Sequence, residues 1–241
     1  MNDKIYIAHR GLHNDNLWAP ENSAEACRCA IFKGFPIEID IHLTKDYQLA
    51  VFHDDNLYRM TGVNGKITDY TMEELKNLRL NDTSEKIPTL TEILKIVNGK
   101  VPLYIEIKNS TFPVGKLEKI LKKAMQYYRG EWVVMSFNSL RLKWCVKNIP
   151  NIPRCQLVPI TNIKKSIINK LLQKLGFNNL IYKSISKPQY LGYNLKDLSM
   201  KSVVDAISVD SKLIGWTAKT HTELTDAEKF CNYIMFENFI P

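Results

Sequence analysis

No apolar run in the chain approaches the roughly 18 residues that a membrane-crossing helix needs. The opening, MNDKIYIAHRG, also has no charged segment leading into an apolar one with a small-residue cleavage site. Neither a spanning segment nor a secretory leader is expected, and a cytoplasmic location follows as the expectation. Cysteine is sparse: five in 241 residues, an odd number at irregular spacings. That excludes a disulfide framework and a paired C-x-x-C zinc pattern. Cys27 and Cys29, two apart on an expected helix, cannot share a face, so the five are read as reduced structural thiols. The turn after the first apolar run is HRGLHN, residues 9–14, and lacks the G-x-G-x-x-G of a dinucleotide fold. Helix-turn-helix, zinc-finger and RNP-type patterns are missing too, so no nucleic-acid partner is expected. Without a Pro/Ser-rich linker or an internal repeat, residues 1–241 read as one domain.

What is present in excess is lysine. The formal net charge is +8, which favours anionic partners, but the charge is dispersed. Its densest stretch, residues 163–175, sets Ile163, Ile167, Leu171 and Leu175 on one stripe with lysines opposite. That is the pattern of an outer helix packed on a core, preferred here to a membrane-binding helix. Peripheral contact with a lipid surface is left open, and no apolar loop stands out to make it.

Short apolar runs alternate with helical patterns. Eight strands are expected at 5–9, 37–43, 103–107, 132–137, 155–159, 190–194, 213–217 and 233–237. Helices are expected between them, the first after Pro20 with Asn22 or Ser23 as N-cap and Gly34 as its end. This alternation, at this length, predicts a (β/α)8 TIM barrel. The sixty or so residues between the second and third strands exceed one helix and its loops. They hold LAVFHDD, a turn-rich stretch and TMEELKNLRL, so an insertion is expected at about 46–86.

The second strand, IEIDIHL, carries two acids. Strand geometry puts Glu38 and Asp40 on one face about 7 Å apart, where two unpaired anions repel. Working side chains of a barrel come from the C-terminal ends of its strands. By that rule His9 and Arg10, Glu38 and Asp40, Glu106 and Lys108, and His53 with Asp54 converge on one rim. Each has a plain structural alternative, as a loop histidine, a solvated charge or a helix cap; their coincidence argues for function. Glu38, Asp40 and Glu106 suit a hard cation, Mg2+ or Ca2+ with Mn2+ also admissible, rather than zinc. Arg10 and Lys108 add positive charge for an anionic substrate. Free histidine has a pKa near 6.5, so a pair of imidazoles is suited to exchange protons on either side of a phosphorus. The set fits a phosphate ester better than a sugar, because paired glycosidase carboxylates need no metal.

AHRG, PENS, EIDIHLTKD, VFHDDNLYRMTG, IPTLTEIL and YIEIK, in this order, resemble the glycerophosphodiester phosphodiesterase family. The match is dense from Ile5 to Lys108 and thins afterwards to SFN at 136–138 and GWT at 215–217. The resemblance implies a metal-dependent barrel hydrolase that releases sn-glycerol 3-phosphate and an alcohol from small glycerophosphodiesters. It implies His9 and His53 as the acid/base pair, Glu38, Asp40 and Glu106 as metal ligands, and Arg10 and Lys108 as phosphate contacts. It also implies Trp216 as an aromatic wall of the substrate pocket, with Glu21 and Asn22 as supports. Thr61, Gly62 and Gly65 read as turn formers. Two departures from the family pattern are WTAK at 216–219 and FENFIP at 236–241; the second resembles a subgroup that also carries HRGLHN and is read as divergence in specificity. Lysophospholipase D chemistry and an inactive phosphodiester-binding barrel are the alternatives.

Overall fold

A computed structural model describes residues 4–14, 16–108, 113–158, 184–208 and 210–241. The expected lysine-rich helix at 163–175 lies outside the described residues. The strands are β1 (Ile5–Ala8), β2 (Ile37–Leu43), β3 (Leu49–Val51), β4 (Leu103–Ile107), β5 (Trp132–Ser136), β6 (Arg154–Leu157), β7 (Tyr190–Asn194), β8 (Lys212–Ala218) and β9 (Tyr233–Phe236). The α-helices among the described residues are α1 (Ala24–Lys33), α2 (Tyr58–Thr61), α3 (Met72–Leu75), α4 (Leu90–Val97), α5 (Lys116–Ala124), α6 (Ser139–Asn148), α7 (Met200–Ser208) and α8 (His221–Glu228). All strands but β3 run parallel in the order β1-β9-β8-β7-β6-β5-β4-β2, and a β1–β2 pairing closes the ring. The fold is the expected closed (β/α)8 barrel.

Alternation of side chains along each strand sorts two cores. Ile37, Ile39 and Ile41 face outward and are fully buried with Cys27 and Ala30 of α1 and Ile93 and Val97 of α4. Inside the barrel Ile7, Tyr104, Met135, Leu157, Ile214 and Met235 form a separate cluster that fills the lumen. Between β2 and β4, β3 pairs antiparallel with β2, and Phe52, Leu57, Met60, Ile67 and Leu80 form a third, smaller cluster. Among the described residues no helix is long and apolar enough to cross a membrane.

The local signals behave as the sequence predicts. Ser23 caps α1 by accepting from the Ala26 N–H, and Gly34 ends it in the left-handed region at φ 75°; a β-carbon is disfavoured there. Thr89 and Glu92 form a reciprocal capping box at the start of α4.

The seam between β1 and β2 is short, with one register pair, Ala8 opposite Ile37. It is extended by the Ala8 N–H donating to Pro36 O at 2.8 Å and the Gly11 N–H donating to Glu38 O at 3.1 Å. Gly11 has φ 81°, and a β-carbon on it would stand 2.8 Å from that of Ala26. Glycine is therefore required where this turn presses on α1.

Candidate active site

Each expected site residue occupies the C-terminal rim or a loop behind it. Asp40 on β2 is the lateral register partner of Glu106 on β4, and Glu38 lies one pleat below Asp40. Ligating oxygens of Glu38, Asp40 and Glu106 all fall within 4.8 Å of one another. Lys108 reaches between two of them, its Nζ 3.2 Å from Asp40 and 3.1 Å from Glu106.

These groups carry unequal charge. Burial drives the Glu38 carboxyl well above the usual range, and Asp40 and Glu106 push it the same way. Asp40 is as buried, but Lys108, His53 and Arg10 outweigh that burial and hold it well below. Burial also raises Glu106, with Lys108 acting against it. Lys108 is itself kept protonated: its burial is outweighed by Asp40 and Glu106. Burial and mutual repulsion thus disfavour the charged forms of Glu38 and Glu106, while neighbouring cations favour that of Asp40.

The loop between β1 and α1 supplies the braces. Arg10 takes a positive φ of 57°, a sparsely populated state for a side chain other than glycine. The turn aims its backbone N–H at Glu38 Oε2, 2.9 Å away. Its guanidinium donates to Glu21 at 2.9 Å, and its buried Nε has no hydrogen-bond partner. Asn22 grips residue 40 twice, donating from Nδ2 to Asp40 Oδ2 at 2.9 Å and accepting from the Asp40 N–H at 3.1 Å.

Both histidines are tethered through Nδ1. His9 Nδ1 lies 2.6 Å from Glu237 Oε2, and His53 Nδ1 lies 2.6 Å from Asp54 Oδ1. A carboxylate only accepts, so Nδ1 carries the hydrogen in each ring and Nε2 is left to exchange protons. His9 Nε2 is 3.9 Å from Glu38. Burial lowers the His9 pKa against the opposing pull of Glu237. The carboxylates are held in turn. Lys219 Nζ is 2.6 Å from Glu237 Oε1, and Arg59 joins Asp54 at 2.6 Å to Glu21 at 2.5 Å. Beneath the second pair, His42 Nε2 donates to His53 O at 3.1 Å.

A cavity of about 740 Å³ opens over this floor, lined by His9, Arg10, Glu38, His53, Glu106 and Lys108 among others. Trp216 lines it too, packed edge-on against Phe137 at 5.8 Å, with an indole N–H that is buried and unpartnered. Asp40 and Asn22 stand behind the lining and reach the cavity through their partners.

Three participants escaped sequence reasoning: Glu237, Lys219 and Arg59. Glu237 directly follows β9 and so obeys the strand-end rule that selected the other acids. Reading FENFIP as a specificity variant hid it.

The Glycerophosphoryl diester phosphodiesterase family model matches residues 9–207. The chain belongs to that family. Among family relatives, a glycerophosphodiester phosphodiesterase of Bacillus altitudinis is 35% identical over 225 residues, covering 88% of this chain and 84% of that one. A second, from Caldanaerobacter subterraneus subsp. tengcongensis, is 35% identical over 158 residues, with 61% of this chain aligned to 64% of the relative. Against that relative and a Bacillus subtilis one aligned over 63% of its length, the match spans just under two thirds of the relative. The fold is shared with a phosphodiesterase of Oleispira antarctica whose structure holds the product sn-glycerol-3-phosphate. The TM-score is 0.78 at 23% identity, over 97% of this chain and 92% of that one.

Proposed function

We propose that this protein hydrolyses glycerophosphodiesters to sn-glycerol 3-phosphate and an alcohol, with a divalent cation and a histidine pair. The observation that carries this reading is the convergence of Glu38, Asp40 and Glu106 on one point, in a cavity that His9 and His53 both line. An oxygen-only donor set suits a hard cation, Mg2+, Ca2+ or Mn2+. The upward shifts of Glu38 and Glu106 mark the charge that such an ion would compensate. When bound, it supplies Lewis-acid polarisation of a phosphoryl oxygen and offsets charge developing there.

The chain's own groups do the rest. Arg10 offers its unpartnered Nε and Lys108 its ammonium to non-bridging oxygens, which positions the phosphorus. One histidine takes a proton on Nε2 from the attacking hydroxyl as the new P–O bond forms, that hydroxyl being either water or a neighbouring glycerol hydroxyl, whose attack gives a cyclic phosphate that water then opens to sn-glycerol 3-phosphate. The other gives its Nε2 proton to the departing alkoxide as the old P–O bond breaks. Trp216 packs on the glycerol or the leaving alcohol. The catalytic and substrate-binding set is therefore His9, His53, Arg10, Lys108 and Trp216 on a floor of Glu38, Asp40 and Glu106, with Glu21 and Asn22 bracing it.

Release of sn-glycerol 3-phosphate from glycerophosphocholine tests this. It should stop in chelator, return on adding Mg2+, Ca2+ or Mn2+, and be nearly lost in His9→Ala. Undiminished turnover in chelator, or in that variant, overturns the reading.

A further inference from the structure

The insertion after β2 sends one side chain into the site. Leu57 and Met60, three apart in NLYRMTG, are buried in the insertion's own cluster, and the Met60 carbonyl accepts from the Asn81 N–H at 2.8 Å. Gly62 ends α2 at φ 71°, its N–H donating to Tyr58 O. With one side of this short helix fixed, Arg59 reaches from the other to the catalytic cavity, which it lines.

The Arg59 guanidinium is divided between two carboxylates. Nε donates to Asp54 Oδ2 at 2.6 Å, while Nη1 and Nη2 donate to Glu21 Oε2 and Oε1 at 3.0 and 2.5 Å. Each carboxylate also holds a group of the chemistry. Asp54 Oδ1 accepts from His53 Nδ1 at 2.6 Å, and Glu21 Oε1 accepts from Arg10 Nη1 at 2.9 Å. Hydrogen bonds therefore run unbroken from Arg10 through Glu21, Arg59 and Asp54 to His53. Burial alone would raise the Glu21 carboxyl, but Arg59 and Arg10 outweigh it and hold it below the usual range, so that link stays anionic.

Both oxygens of Asp54 are engaged, which fixes the plane of the carboxylate and of the imidazole it holds. Without Arg59 one of those oxygens is released, at a residue 24% open to water. A planar fork of N–H groups also fixes the angle between two carboxylates; an ammonium is a point charge and does not.

We propose that Arg59 is a positioning residue for phosphodiester hydrolysis, locking the imidazole of His53 and the guanidinium of Arg10 into one geometry. The insertion thereby sets the placement of a proton-transfer group relative to a phosphate contact. The proposal rests on the phosphodiesterase reading for what those two groups do.

The test follows glycerophosphocholine turnover and the tautomer of His53 in the full chain, in Arg59→Lys and in Arg59→Met. Ring nitrogen shifts, read through the carbon-bound hydrogens at about pH 8 where an ordinary imidazole is neutral, report which nitrogen carries the hydrogen. His53 should be Nδ1–H in wild type and divide between both tautomers in the variants. Each variant should lose about 10- to 100-fold in kcat, with a smaller rise in KM. Guanidinium ion added to Arg59→Ala should restore part of the turnover where methylammonium does not, since the Arg59 side chain is 44% exposed. Arg59→Met placed on Asp54→Asn should cost little beyond the worse single variant, whereas on Glu237→Gln, which acts through His9, the losses should multiply. Wild-type kcat in Arg59→Lys overturns the proposal, because charge alone then suffices. Lost turnover with the His53 tautomer unchanged, or losses that multiply with Asp54→Asn, makes Arg59 a support of the fold and overturns it as well. A wild type that releases no sn-glycerol 3-phosphate overturns the phosphodiesterase reading; the His53 tautomers then decide the positioning role, for it if they shift in both variants and against it if they do not.

Discussion

The two histidines of the site are held by opposite kinds of architecture. His9 follows β1 and meets Glu237, 228 positions later, after β9. Its side chain is 14% exposed and that of Glu237 10%. His53 meets Asp54, the next residue in the chain, and the two are 30% and 24% exposed. The first pair exists only once the barrel has closed; the second is local and needs only its turn. A buried pair works in lower effective dielectric and should orient its imidazole more strictly than one partly open to water.

The largest effect should come from removing a carboxylate of the floor, Glu38, which lies 3.9 Å from His9 Nε2. Glu38→Gln is expected to lower glycerophosphocholine turnover by about a thousandfold or more and to abolish any rise in Tm on adding Mg2+. Its Tm in chelator should not fall, because the lost carboxylate was disfavoured by burial. Melting curves with and without the cation check this. Next, His9→Ala and His53→Ala should each cost about 10²- to 10⁴-fold in kcat. Steady-state assays that found either fully active would remove that histidine from the chemistry.

The comparison itself is sharpened one step out. Glu237→Gln should lower kcat toward the upper end of the about 10- to 100-fold typical of groups that orient a reacting side chain, and Asp54→Asn toward the lower end. Equal losses would show that burial of the carboxylate is immaterial. The smallest effect is on stability. Glu237 and Asp54 are both held below the usual carboxylate range, each against its own burial, Glu237 by His13, His9 and Lys219 and Asp54 by His53 and Arg59. A depressed folded-state pKa contributes stability above the ordinary value and loses it as pH falls toward the depressed one. The difference in urea midpoint between the parent and Glu237→Gln should therefore be full at pH 7 and shrink below about pH 4.5.

The barrel was legible because strand runs such as IYIA and YIMF stand clear between helical patterns, and because Ser23 and Gly34 punctuate α1 in the expected way. The floor was legible for a different reason. Acids at alternate positions of a core strand conflict with their surroundings, and Glu38, Asp40 and Glu106 do meet, within 4.8 Å of one another. Glu237 was harder to see: its meaning depends on β9 lying beside β1, a closure that no local pattern encodes. Arg59 depends likewise on a short helix folding back over Glu21.

The seam between β1 and β2 joins these threads. A wall with one register pair is the weakest stave of the barrel, and Arg10, through its N–H to Glu38, is one of the nails that hold it. Closing that wall and seating Glu38 are then coupled: a molecule that has not drawn that seam shut has neither a complete wall nor the Arg10 N–H on Glu38. Occupants of the site act as fasteners, and hydrogen exchange at the Gly11 amide, which bridges the seam to Glu38 O, should slow when they bind.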